Sequence, residues 1–166
     1  MAPDPPSIPP PIEVVPIGRV ACDERDALND VARLDWSRVR SAIVLDEAAH
    51  PGIAEALLGL EDYSHVIVVA WLDRIPEDLR ARRRAYPGGD DRLPLQGSLA
   101  LRGGARPNPI AVTVARLLAI DITGEGATLR VEGLDLVDGT PILDVKPYIA
   151  HYDAVPKATI PKWASG

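Results

Sequence analysis

Two β-prone runs, "IAVTVARLLAID" from Ile110 and "ATLRVEGLDLV" from Ala127, are separated only by the turn "TGEG". A parallel pair needs a crossover of a dozen residues or more, so a connection this short dictates an antiparallel pairing. The second run alternates, with Leu129 and Val131 facing one way and Arg130 and Glu132 the other, as a strand with one buried face must. Further candidate strands are "EVVPIGRVAC", with a proline that suits a sheet edge, "VRSAIVLDE", "QGSLALR" and "SHVIVVAWLD". The last is apolar enough to predict a central strand buried on both faces. "LVDGTPILDV" sets Asp138-Gly139 between apolar runs, which predicts a hairpin. Strands succeed one another without regular strand-helix alternation, which predicts a mainly β fold, a single antiparallel barrel or sheet with a few short helices.

Two helical segments are expected. "HPGIAEALLGLEDYS" has proline near its start and Gly59 near its end, and "IPEDLRARRRAYPGG" has Pro76, Glu77 and Asp78 in its first turn and arginines later. "DERDALNDVARLDWSRVR" reads as loop or short helix, and residues 1–11 as an extended proline-rich tail ahead of one domain over 12–166. No apolar run approaches the roughly 18 residues of a membrane span. A lone Cys22 gives no disulfide framework, and no basic segment leads into an apolar h-region, so the expected address is cytoplasmic. A net charge of -6 argues against broad nucleic-acid binding but leaves room for a local basic patch.

"LRGGARPNPIAVTV", residues 101–114, places two glycines and two prolines where strand is otherwise expected. Pro107 and Pro109 push Arg106 and Asn108 toward extended conformations and thereby fix where their side chains start. No G-x-G-x-x-G follows a strand and no G-x-x-x-x-G-K-[ST] occurs, which argues against a Rossmann cofactor site or a P-loop. His50, His65 and His151 lie far apart with no paired spacing, so no metal site is expected. Asp135, Asp138 and Asp144 cluster near the expected hairpin, where a turn alone accounts for Asp138, and a divalent ion or ribose hydroxyls with an ammonium group are the alternatives. "RARRRAY" carries Arg80, Arg82, Arg83 and Arg84 beside Tyr86, a phosphate contact or a solvated helix face.

"PIGRV", "GLEDYSHVIVVAWL", "RPNPI" and "VEGLDLVDGTPILDVKPYIAHYD" together resemble the TsaA/TrmO-like family of S-adenosylmethionine (SAM)-dependent tRNA adenine N6-methyltransferases, over about Ile12 to Trp163. The resemblance implies a non-Rossmann SAM-binding barrel, a homodimer, and methylation of threonylcarbamoyl-modified adenosine beside the anticodon of tRNA. It also implies cofactor contacts from Arg102, Arg106 and Asn108 in one loop and from Leu134, Asp135, Asp138, Gly139 and Thr140 in another. Lys146, Tyr148 and His65 are expected on the substrate side, with Arg82 and Arg83 on tRNA phosphates. Where relatives read approximately G-x-F-A-T-R-S-P-x-R-P-N-P-I-G, this chain has Gly103-Gly104 in place of Ser-Pro. The strand that often ends in Phe-His in relatives ends here in Leu72-Asp73. The other reading is a SAM-binding protein with a different small-molecule or nucleic-acid acceptor, or with a sensing role.

Overall fold

The computed structural model describes residues 10–22, 35–124 and 126–165. Its strands are β1 (Gly18–Ala21), β2 (Arg40–Leu45), β3 (His65–Trp71), β4 (Arg84–Ala85), β5 (Gln96–Gly97), β6 (Ile110–Thr123), β7 (Gly126–Glu132) and β8 (Pro141–Pro147). Six of these close into a barrel in the order β1-β2-β7-β6-β3-β8, every neighbouring pair antiparallel. β4 and β5 form a separate two-stranded ribbon. The "TGEG" turn joins β6 to β7, as its length requires.

Alternation along the strands builds the core. Ile43 and Leu45, Val66, Val68 and Ala70, Leu129 and Val131, and Ile142 all point inward and are buried. β1 runs so close to β2 that a Cβ on Gly18 would lie 2.3 Å from the Val44 carbonyl oxygen, so only glycine fits there. β6 is long enough to serve two partners. Residues 110–116 pair with β3 and 116–123 with β7, and an irregularity at Leu117/Ala119 takes up the change of direction.

Several expectations are corrected. β3 is buried on one face only; Ile67, Val69 and Trp71 lie half-buried on the outside of the barrel. The first strand begins at Gly18 and not at Glu13, because Pro16 has no N–H to donate and the first barrel bond comes from Ile17 N to Ile142 O, 2.8 Å. "HPGIAEALLGLEDYS" forms two 3-10 turns, Ile53–Leu57 and Leu60–Asp62, since left-handed Gly52 and Gly59 each start a new turn. The helix after Pro76 spans only Glu77–Arg80. Arg82 and Arg83 lie beyond it and Arg84 enters the β4 ladder, so the arginines do not form a helix face. "QGSLALR" contributes two ladder residues and then turns at Ser98–Ala100.

Asp138-Gly139 makes a turn, with Gly139 at φ 80, but no hairpin forms around it. Leu134 and Leu136 are 0% and 2% exposed, and burying them in the core keeps 134–137 out of any ladder with β8. "DERDALNDVARL" and the first nine residues of the tail lie outside the described residues. Residues 10–17 carry no regular element and are mostly exposed.

Candidate active site

Three connections meet at one end of the barrel: the loop after β3, the 101–109 loop before β6, and the 133–140 segment that returns from β7 to β8. Because Trp71 pairs with Ile110 and Ala70 with Ile142, the ladder register itself brings the first two loops to the start of β8. Between them lies a cleft of about 220 Å³ whose walls include Trp36, Leu72, Ile75, Leu136 and Val137. Arg74, Arg102, Asp73, Asp135 and Thr140 set its polar groups, and Ala111 and Gly103-Gly104 complete the lining.

Four of these five polar groups have a defined anchor. Arg102 donates to the Val112 carbonyl, 2.5 Å away, which clamps its loop to β6. Asp135 accepts from the Thr113 hydroxyl. The buried Thr140 hydroxyl donates to Val137 O at 2.8 Å and closes the turn. Arg74 donates to Asp138 O at 2.7 Å, tying the loop after β3 to the 133–140 segment. Arg80 holds that same loop through Ile75 O at 2.8 Å while its guanidinium lies 5.6 Å above the Trp71 ring.

The lining is therefore an apolar slot with two guanidinium groups and two carboxylates at its border. Such an arrangement can take a flat heteroaromatic ring into the slot and a zwitterionic amino-acid group at the border. No group of three or more His, Cys, Asp or Glu side chains is placed to hold a metal ion among the described residues. The three aspartates are held apart in their roles: Asp135 by Thr113, Asp138 by the Cys22 amide at 3.1 Å, and Asp144 by Lys146 at 2.5 Å.

Of the expected cofactor residues, the cleft brings together Arg102, Asp135 and Thr140. Asp138 and Gly139 stand behind it, bound to Cys22 and beside Arg74. Leu134 is in the core. Asn108 lies by a separate groove formed by Pro10–Pro16, Trp71 and Leu143. Arg106 turns inward on its own loop, donating to the carbonyls of Gly103 (3.1 Å), Ser98 (3.4 Å) and Leu101. His65 and Tyr148 meet edge to face, 6.4 Å between centroids, and Lys146 pairs with Asp144, all away from this cleft. Arg82 and Arg83 are exposed beside the β4–β5 ribbon. At the far side of that ribbon the Arg92 guanidinium, hydrogen-bonded to Asp90, holds the Asp90 carboxyl below the usual carboxylate range.

Trp36, Arg74 and Ile75 carry no signal in the sequence that marks them for a site, and Asp73 stands out only as a departure from the Phe-His of relatives. A lone tryptophan on a short turn has no spacing pattern, and Arg74 reads as an ordinary polar loop residue until Asp138 is seen opposite it. Arg106 gives a direct prediction. Arg106→Ala removes hydrogen bonds to three carbonyls, each worth about 1.5–3 kcal/mol when the donor is charged, and the 98–106 loop opens. Hydrogen exchange should show weaker protection of the loop amides while β7 keeps its own. Arg106→Lys rescues little, because one ammonium cannot span the three acceptors of a planar fork.

A family model described as "tRNA-methyltransferase O N-terminal domain" matches residues 34–154. A Methanothermobacter thermautotrophicus protein named "Probable S-adenosyl-L-methionine-binding protein" is 31% identical over 144 residues, 87% of this chain and 95% of that protein. The Escherichia coli tRNA (adenine(37)-N6)-methyltransferase is 33% identical over 108 residues, 64% of this chain. A crystal structure of TrmO superposes with a TM-score of 0.66 at 31% identity over 90% of this chain. The chain spans 45% of the E. coli protein's length and 63% of the solved TrmO chain.

Proposed function

The chain belongs to the tRNA-methyltransferase O N-terminal domain family, and from that we propose that it is a SAM-dependent methyltransferase acting on the N6 of an adenine in tRNA. The observation that carries this reading is the cleft: an apolar slot bordered by Arg74, Arg102, Asp73 and Asp135, on a closed antiparallel barrel. The donor set suits SAM group by group. Arg102 or Arg74 would hold the carboxylate, Asp135 or Asp73 the ammonium or the ribose diol, and Trp36, Leu72, Ile75 and Val137 the adenine.

Bound there, SAM would supply an electrophilic methyl group, the acceptor nitrogen taking it as the carbon–sulfur bond breaks with its electrons left on sulfur and then losing its proton to bulk solvent as the product leaves. The protein's part is orientation and water exclusion, which can contribute on the order of 7–11 kcal/mol. No strong acid-base residue is needed. The anchored loops fit that demand, since Arg102, Arg80 and Thr140 each lock a wall of the cleft before anything binds.

We take the acceptor to be threonylcarbamoyl-modified adenosine beside the anticodon, and the place of action to be the cytoplasm. A homodimer accounts for the outer face of β6, where Ile110, Val112 and Val114 are 39%, 48% and 47% exposed next to Ile67 and Val69 of β3. A straight apolar stripe of this kind can cover its own copy across a two-fold axis. Among the described residues no helix is long and apolar enough to cross a membrane.

Arg82 and Arg83 are the expected phosphate contacts. Reversing both charges (Arg82→Glu, Arg83→Glu) should weaken tRNA binding and flatten the slope of log affinity against log salt by about 2, roughly one for each phosphate no longer neutralised. SAM affinity, measured by calorimetry, should not change. Unchanged tRNA binding would place the phosphates elsewhere.

A further inference from the structure

Among the polar side chains that line the cleft, Asp73 stands apart. Arg74, Arg102, Asp135 and Thr140 each make a hydrogen bond within the protein. The Asp73 carboxylate makes no hydrogen bond or ion pair with any of the described residues. Its backbone is nevertheless fixed. The Asp73 amide donates to Trp71 O at 2.9 Å, Ile75 N donates to Leu72 O at 3.2 Å, and the Arg80 guanidinium donates to Asp73 O at 3.2 Å. A carboxylate on a pinned backbone, with no partner of its own, can accept from a ligand without ordering the chain that carries it.

The surroundings of Asp73 narrow what that ligand group is. Asp135 is held from β6 by Thr113, whereas Asp73 is tied through Arg80 to the segment that continues into the exposed Arg82 and Arg83. Asp73 therefore borders the cleft next to the expected phosphate contacts. The neighbouring Arg74 is directed to Asp138 O at 2.7 Å and makes no ion pair with Asp73. An unpaired carboxylate beside the path of a polyanion opposes binding unless the bound molecule brings a donor to it. The exocyclic N6–H of adenine is such a donor, while guanine presents an oxygen at the same place.

We propose that Asp73 touches the acceptor itself: its carboxylate accepts a hydrogen bond from the N6–H of the adenine to be methylated, which leaves Asp135 for the ammonium or ribose diol of the cofactor. The inference deepens the methyltransferase reading and rests on it. As the new bond from nitrogen to the methyl carbon forms and the carbon–sulfur bond breaks with its electrons on sulfur, the nitrogen gains positive charge. A hydrogen bond from it to an anion is then stronger in the transition state than in the bound substrate, which is the condition for accelerating the step. The proton leaves to bulk solvent afterwards. A threonylcarbamoyl-modified adenine has a single N6–H, so its product has a methyl group where the donor was. The carboxylate then faces carbon, and the product is held less tightly than the substrate.

The test uses the full chain with S-adenosylhomocysteine and two anticodon stem-loop RNAs, one carrying N6-threonylcarbamoyladenosine beside the anticodon and the other its N6-methylated form. Wild-type protein is expected to bind the first about 10- to 100-fold more tightly, and Asp73→Ala to bind the two within about twofold of each other. In single-turnover reactions with SAM, Asp73→Asn keeps the shape and removes the charge, and should slow methyl transfer about 100-fold while calorimetric SAM affinity stays unchanged. Binding of neither RNA, equal binding of both by wild type, a preference that survives in Asp73→Ala, an undiminished rate in Asp73→Asn, or a loss of SAM affinity in that variant as large as its loss of rate would each overturn the contact. Wild-type protein that neither binds SAM nor transfers a methyl group overturns the methyltransferase reading itself. Wild-type protein that does both and fails the RNA comparison overturns only the role of Asp73.

Discussion

Replacing Gly104 with valine should weaken SAM binding on the order of 100-fold while leaving the barrel folded. A Cβ at Gly104 would lie 2.8 Å from Ile75 Cδ1 and 3.0 Å from both Ile75 Cγ1 and Leu72 Cδ1. These are ends of flexible side chains and not backbone, so the clash resolves by swinging Ile75 and Leu72 into the space they line. Overpacking of this kind costs about 1–3 kcal/mol, and about 1.4 kcal/mol is a factor of ten in affinity. The cleft has little room to spare. At about 220 Å³ it is already smaller than the roughly 300 Å³ at which small-molecule pockets usually begin. Gly104 does not sit in the left-handed region, so the effect is steric and a compensating cut should restore binding. Gly104→Val with Ile75→Ala is expected to recover most of the affinity in calorimetry. Wild-type affinity in the single variant would show that SAM does not occupy this cleft.

Leu134→Ala should cost about 2–5 kcal/mol of folding free energy, although the resemblance implied a cofactor contact at Leu134. Its side chain is fully buried among the core residues and packs with Leu136, Leu129 and Val131 in one cluster. At this chain length each kcal/mol shifts the melting temperature by roughly 2–4 °C, so a drop on the order of 5–15 °C is expected in thermal denaturation. SAM binding measured well below the transition should persist. A large loss of SAM affinity in a variant of unchanged stability would instead return Leu134 to the site.

The barrel was legible because its signals are local. The "TGEG" turn and the alternation of Leu129, Arg130, Val131 and Glu132 specify an antiparallel pair without reference to anything distant. Three of the five polar residues of the candidate cleft were legible for the same reason: Arg102, Asp135 and Thr140 stand in compact sequence blocks. What escaped depends on tertiary packing. The RPNPI segment promises a side chain aimed at a ligand, yet Arg106 meets the nearest free carbonyls, which belong to its own loop. Asp138-Gly139 has ideal hairpin chemistry, but burying Leu134 and Leu136 outweighs pairing. The arginines after Glu77 suit a helix end by charge, but the helix stops at Arg80 and the ladder between Arg84 and Gly97 takes the last of them. Trp36 joins the cleft only because the 36–38 turn folds over loops more than thirty residues away.

The puzzle of residues 101–114 resolves in two parts. The prolines and Arg106 stiffen the loop, and the paired glycines keep it free of side chains where it lines the cleft. Stiffness and thinness are separate demands, and one short segment answers both.

Incubating the purified protein with trideuteromethyl-SAM and tRNA, then digesting the tRNA and weighing its nucleosides by mass spectrometry, tests the central claim most directly. The expected result is a deuterated methyl group on an N6-modified adenosine, lost in Gly104→Val. SAM bound at the cleft with no labelled nucleoside in any tRNA would contradict it.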